Sequence, residues 1–161
     1  MHATEILENS HLYVIQTVDD LPEPMWDLPG VSGEWSAKDV LAHLISYELL
    51  LIDALNTIHG EAPSPYILRW KSSQADFSLD AIKARRYHTA QQVTSEYQDV
   101  MLQSTALLAE LPAEEIQNPG TLLWLSDGKA SVADLINIVT SHVQQHCEEI
   151  VQFRQKNEAL E

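Results

Sequence analysis

The chain predicts an all-α fold, a four-helix bundle forming one domain, and three observations carry that reading. Apolar residues recur at three- and four-residue spacing through four separate stretches. The five glycines and seven prolines sit mostly between those stretches, which leaves the helices long and uninterrupted. The pattern Ser-x-x-Asp, which starts helices by reciprocal capping of backbone N–H groups, stands at the head of two of them. A length of 161 residues suits one domain (1–161) with a full hydrophobic core.

The first helix is expected over residues 4–18, with Ile6, Leu7, Val14, Ile15 and Val18 on its inner face. Pro22, Pro24 and Pro29 with Gly30 and Gly33 then make a loop over about 20–35, in which Met25 and Trp26 cover one end of the core. Ser36 caps the second helix, Asp39 answers it three residues on, and Trp35 is placed to pack against Val40 as a hydrophobic staple. From 37 to 59 this helix carries Leu41, Leu44, Ile45, Leu49, Leu50, Leu51, Ile52, Ala54 and Leu55, apolar on most faces. It is either central in the domain or buries a second face, around residues 49–52, against another copy in a homodimer.

Gly60 ends that helix, and Pro63 and Pro65 keep the next stretch extended or turned, with Tyr66, Ile67, Leu68 and Trp70 folding over the bundle. A third helix is expected from Ser78 and Leu79 to about residue 110, its inner face reading Ile82, Val93, Tyr97, Val100, Met101, Leu107 and Leu108. Pro112 closes it, and a loop through Pro119, Gly120 and Gly128 follows. Ser131 and Asp134 open the fourth helix, 131–157, with Val132, Leu135, Val139, Ile150 and Phe153 as its apolar repeat.

The net charge of −15, from 24 acidic against 9 basic residues, repels phosphate backbones and anionic head groups, so neither nucleic acid nor a membrane is an expected partner. Lys83, Arg85 and Arg86 form one basic cluster, read as a solvated helix face. A single cysteine, Cys147, rules out an internal disulfide framework and suits a reducing, cytoplasmic setting. The N-terminus, with His2, Glu5 and Glu8, lacks the regions of a signal peptide, and the apolar run 49–52 is far too short for a membrane span.

The stretch that carries chemistry is Ser141-His142-Val143-Gln144-Gln145-His146. Histidines four apart lie on one face of a helix, where two imidazoles can share a metal. With seven histidines in the chain, composition alone yields about 0.3 such pairs, so the motif counts only in context. That context is the core-facing side of the fourth helix, where the choice lies between metal ligands and core histidines satisfied by hydrogen bonds. Cys147 points about 100° away from His146 and reads as a small packed apolar residue. On the second helix His43 sits among leucines, with Tyr47 one turn on. Three imidazoles from two facing helices would leave a metal one open coordination position.

Trp35-Ser36, then Asp39-Val40-Leu41-Ala42-His43-Leu44, then Ser131-Val132-Ala133-Asp134-Leu135 leading to His142 and His146, resembles the DinB/YfiT-like superfamily across nearly the whole chain. The resemblance implies a bundle in up-down-down-up order, commonly a homodimer, holding a divalent metal such as nickel or zinc. The family's three histidine positions fall on His43, His142 and His146. Its members with assigned activities are thiol-dependent transferases and isomerases, which use bacillithiol, mycothiol or glutathione, and a branch that hydrolyses a genotoxin.

A metal on three neutral imidazoles keeps its full charge and can activate a bound water or thiol near neutral pH. The expected activity is therefore thiol transfer to, or hydrolysis of, a small electrophilic molecule, with a low-molecular-weight thiol as co-substrate in the first case. Tyr47 and Glu149 are the candidates for acid–base or supporting roles, against readings as a packed tyrosine and a solvated carboxylate. Trp26, Tyr66, Trp70 and Trp124 are candidate walls of a cleft for an apolar substrate. The competing reading is a non-catalytic stress or detoxification protein that sequesters a metal or an apolar ligand.

Overall fold

In the computed structural model, which describes residues 2–58, 62 and 64–158, four long helices carry the fold: α1 (Ala3–Asp19), α2 (Ala37–Ile58), α5 (Ala90–Ala109) and α7 (Val132–Glu158). Three shorter helices, α3 (Pro65–Ser72), α4 (Gln74–Ala84) and α6 (Ala113–Gln117), lie in the connections. The expected stop at Gly60, with His59 and Pro63, lies outside the described residues.

Side-chain contacts give the helix directions. Lys38 near the start of α2 reaches the carbonyl of Arg86 just before α5, and further along Glu48 lies beside Tyr97, so α2 and α5 run parallel. On α7, His146 lies by His43 and His142 by Tyr47, so α7 runs against α2. Cys147 lies by Tyr13 and Arg154 by Asp20, which makes α7 parallel to α1. The order is up-down-down-up.

Both Ser-x-x-Asp starts form as reciprocal boxes. Asp39 N donates to Ser36 Oγ and Ser36 N to Asp39 Oδ2, each at 3.1 Å. Ser131 and Asp134 repeat this at 3.1 and 2.8 Å. A third box was missed: Thr89 and Gln92 cap α5 at 2.8 and 3.1 Å. It explains why the helix expected from 78 to 110 is two helices. Arg85 leaves helical geometry (φ −112°, ψ 13°), the chain turns over 85–89, and Thr89 restarts it. Ser78 lies inside α4, whose N-cap is Ser73. Arg85 is also not a solvated cation: it grips Glu96 with two bonds of 2.7 and 2.8 Å and the Ala81 carbonyl at 2.9 Å, tying α4 to α5 across the break. Pro65, expected in extended or turned chain, takes the first position of α3 behind Ser64, where its missing N–H costs nothing.

Helix α2 packs against α3, α4, α5 and α7 and is the centre of the domain. Leu41, Leu50, Leu51 and Leu55 are all fully buried, at about 1.5–3 kcal/mol each. Leu49 and Ile52, around which a second copy is expected to pack, are partly buried by the same chain. By length and composition α2 could cross a membrane, but its most apolar 18-residue window is 78% buried inside the bundle, as befits a core helix. Met25 and Trp26 close one end of the core as expected.

Candidate metal centre

Three imidazoles meet between α2 and α7. His43 and His146 are buried, and His142 is partly so. Their ring centroids are 4.9 Å (His43–His146), 5.4 Å (His43–His142) and 6.1 Å (His142–His146) apart. The register that builds this is local on each helix: His142 and His146 are one turn apart, and His43 faces the space between them from the antiparallel α2.

The ring nitrogens differ in what faces them. His142 Nδ1 lies 2.9 Å from the Ile138 carbonyl, which only accepts, so Nδ1 carries the proton and Nε2 holds a free lone pair. His146 Nδ1 lies 2.7 Å from Glu149 Oε1, at hydrogen-bonding distance though not at hydrogen-bonding angle. An imidazole whose second nitrogen is held by a carbonyl or a carboxylate is the usual arrangement of a metal-bound histidine. His43 Nδ1 is buried with no hydrogen-bond partner. Two imidazoles bound tetrahedrally to one ion at about 2.0–2.1 Å have centroids about 5 Å apart. The two distances from His43 match that value, and the third is about 1 Å wider. Among the described residues no group of three or more His, Cys, Asp or Glu side chains stands, as placed, where it could hold a metal ion.

Burial keeps two of these rings, His43 and His146, neutral. Burial lowers the His43 pKa to about 3, and the neighbouring His146 and His142 push the same way. Burial also lowers His146, against the pull of Glu149. Tyr47 stacks on His142 (centroids 4.2 Å, 24° between planes) and meets His43 edge-on at 5.2 Å. Burial raises its pKa, partly offset by the Trp70 indole, so its hydroxyl stays protonated at neutral pH.

Of the expected walls, Trp70 and Trp124 pack edge to face at 5.5 Å, and Trp70 reaches Tyr47. Trp26 belongs to the core end, and Tyr66 lines a separate cavity of about 370 Å³ between α2 and α4. Two rings the sequence reading did not assign to the site take their place. Trp35 lies 5.3 Å from His43, and Phe77 lies edge-on to Tyr47 at 5.6 Å. Trp35 also packs on the core cluster containing Val40, so the residue before the N-cap both staples the helix and covers the histidine. Cys147 faces away toward Thr17 with its thiol pKa pushed up to about 11 by burial, the inert packed residue expected.

Also missed was His11, whose Nε2 lies 2.5 Å from Glu48 Oε1 in the core. The signal was present: Leu7, His11, Val14 and Val18 share one face of α1.

Bundle order, capped helix starts and a histidine cluster between the second and last long helices define a class of small all-helical proteins. The chain belongs to the DinB superfamily, which it matches over residues 7–150. The crystal structure of a protein from Streptococcus pneumoniae is similar in fold, with a TM-score of 0.78 at 13% identity over 95% of this chain and 88% of that one. No curated protein matches.

Proposed function

We propose that this protein is a metal-dependent enzyme that acts on a small electrophile by thiol transfer or hydrolysis, with a divalent ion, nickel or zinc, on His43, His142 and His146. The observation that supports it best is the meeting of three imidazoles from two antiparallel helices, one of which, His142, has its Nδ1 held by the Ile138 carbonyl so that Nε2 keeps a free lone pair. When bound, the metal supplies a Lewis acid that lowers the pKa of a water or a low-molecular-weight thiol. The chain's own residues have separate tasks. The Ile138 carbonyl holds the Nδ1 proton of His142, and Glu149 places a carboxylate 2.7 Å from Nδ1 of His146. Tyr47 fixes the His142 ring by stacking and offers a protonated hydroxyl beside it. Trp35 and Phe77 keep water from the back of the cluster.

A non-catalytic metal-binding role is favoured by one observation: five surface cavities, of about 370–510 Å³, are lined by residues other than the three histidines. Both readings are decided together. Nickel and zinc titrations of wild type and His43→Ala test the site, and wild-type affinity in the variant would remove it. Thiol consumption with a panel of electrophiles, with and without metal, tests the chemistry. Metal binding without turnover would select the binding protein.

A further inference from the structure

We propose that the space enclosed by α2, α3 and α4 is a binding site for an uncharged aromatic compound of one or two rings, separate from the histidine cluster but joined to it through Phe77. The inference goes beyond the function proposed above and stands whether or not the histidines hold a metal. The space measures about 370 Å³ and is bordered by Leu49 of α2, Tyr66 of α3, and Phe77, Ala81 and Ala84 of α4. It is left open because the side chains at Ser46, Ala81 and Ala84 are too short to fill the gap between α2 and α4. Ser46, Phe77 and Ala81 are buried and form its deep end, whereas Tyr66 and Ala84 are exposed and form its mouth. An apolar cavity of about 150 Å³ holds a benzene ring, so this one has room for two rings.

The lining selects against charge. At the deep end Ser46 Oγ donates its one proton to the His43 carbonyl at 2.5 Å. The charged side chains on the border are already paired: Arg69 holds Asp80 at 2.7 and 3.4 Å, and Arg85 holds Glu96 at 2.7 and 2.8 Å and the Ala81 carbonyl at 2.9 Å. A charged ligand would have to break one of these pairs or lie unpaired against apolar walls, and burying an unpaired charge is costly. An uncharged ring does neither, and it takes the apolar surface of Leu49, Tyr66, Phe77 and the two alanines out of water. Two aromatic walls also favour a ring over an aliphatic chain, through edge-to-face or offset contacts. Phe77 meets Tyr47 edge-on at 5.6 Å, and Tyr47 stacks on His142 at 4.2 Å. An occupant resting on Phe77 is therefore linked to the histidine cluster through two rings.

The test uses the full-length protein with a chelator present and three probes of like shape: 1-methylnaphthalene, 1-naphthoate and 1-naphthylmethylammonium. Alanine methyl resonances report on separate cavities, because Ala81 and Ala84 line this one while Ala54 and Ala90 line two others. 1-Methylnaphthalene is expected to shift the Ala81 and Ala84 methyls by its ring current, to give cross-peaks to the Phe77 ring protons, and to leave Ala54 and Ala90 in place. Both charged probes should bind at least about tenfold more weakly. Ala84→Leu, at the exposed mouth, fills part of the space and should weaken 1-methylnaphthalene about tenfold, the worth of about 55 Å² of apolar contact, while Ala84→Ser, of nearly the same size, should bind as wild type does. If Ala84→Leu fails to fold, the wild-type shifts and cross-peaks still decide.

No response at Ala81 and Ala84, an equal or larger response at Ala54 or Ala90, a preference for either charged probe, or wild-type affinity in folded Ala84→Leu would each overturn the proposal.

Discussion

Replacing His11 with leucine probes the polar element buried on the far side of α2. His11 Nε2 and Glu48 Oε1 are 2.5 Å apart, with side chains only 6% and 1% exposed, so solvent screens the pair little. Glu48 Oε2 and the Tyr97 hydroxyl are buried without partners of their own. Leucine roughly preserves volume, so the main effect is to strand the Glu48 carboxylate in the core. Removing one member of a buried pair costs about 3–5 kcal/mol. In a chain of this size each kcal/mol lowers Tm by about 2–4 °C, so the expected fall is about 6–20 °C. The double variant His11→Leu with Glu48→Met removes the stranded group as well, and should recover most of the loss. Urea unfolding of the four metal-free proteins at pH 7 completes the cycle. A single-variant cost below about 1 kcal/mol, the range of solvated pairs, or a double variant no more stable than His11→Leu, would refute the reasoning.

The metal-free protein should lose stability as pH falls below neutrality. His43 has a folded pKa of about 3 against an ordinary value near 6.5, so between these limits the unfolded chain binds a proton that the folded chain does not. The contribution is intact above pH 6.5 and declines at up to about 1.4 kcal/mol per unit, or about 2 kcal/mol by pH 5, with the lowered His146 adding in the same direction. His43→Phe should flatten this slope in urea titrations with chelator present; an unchanged slope would exclude His43 as its source. Glu149→Gln keeps the shape of the side chain but removes the carboxylate charge beside His146 Nδ1. It should lower zinc affinity about 10–100-fold in competition with a chelator, with the far-ultraviolet circular dichroism unchanged. Wild-type affinity would mean that Glu149 does not position the ring.

Much of this was legible because it is local. Ser36 with Asp39 and Ser131 with Asp134 reach across three residues, so their boxes were readable one by one, and Thr89 with Gln92 could have been. The overlooked Thr89 box led to one long helix where the chain builds two. Burial was harder. Leu50 and Leu51 are buried and Leu49 and Ile52 only partly so, a division that rests on how α3, α4, α5 and α7 pack on α2.

Sequence alone determined the starts at Ser36 and Ser131, the all-helical class and the shared face of His142 and His146, because a spacing of three or four residues maps onto about one helical turn whatever the rest of the chain does. Tertiary structure alone decided which faces meet. It set His43 opposite that pair and swung Trp35 and Phe77 into the walls where Trp26 and Tyr66 were expected. It also joined His11 to Glu48 across 37 residues. Periodicity says which side of a helix turns inward, but the partner it finds there depends on how four such sides pack to fill one core without voids.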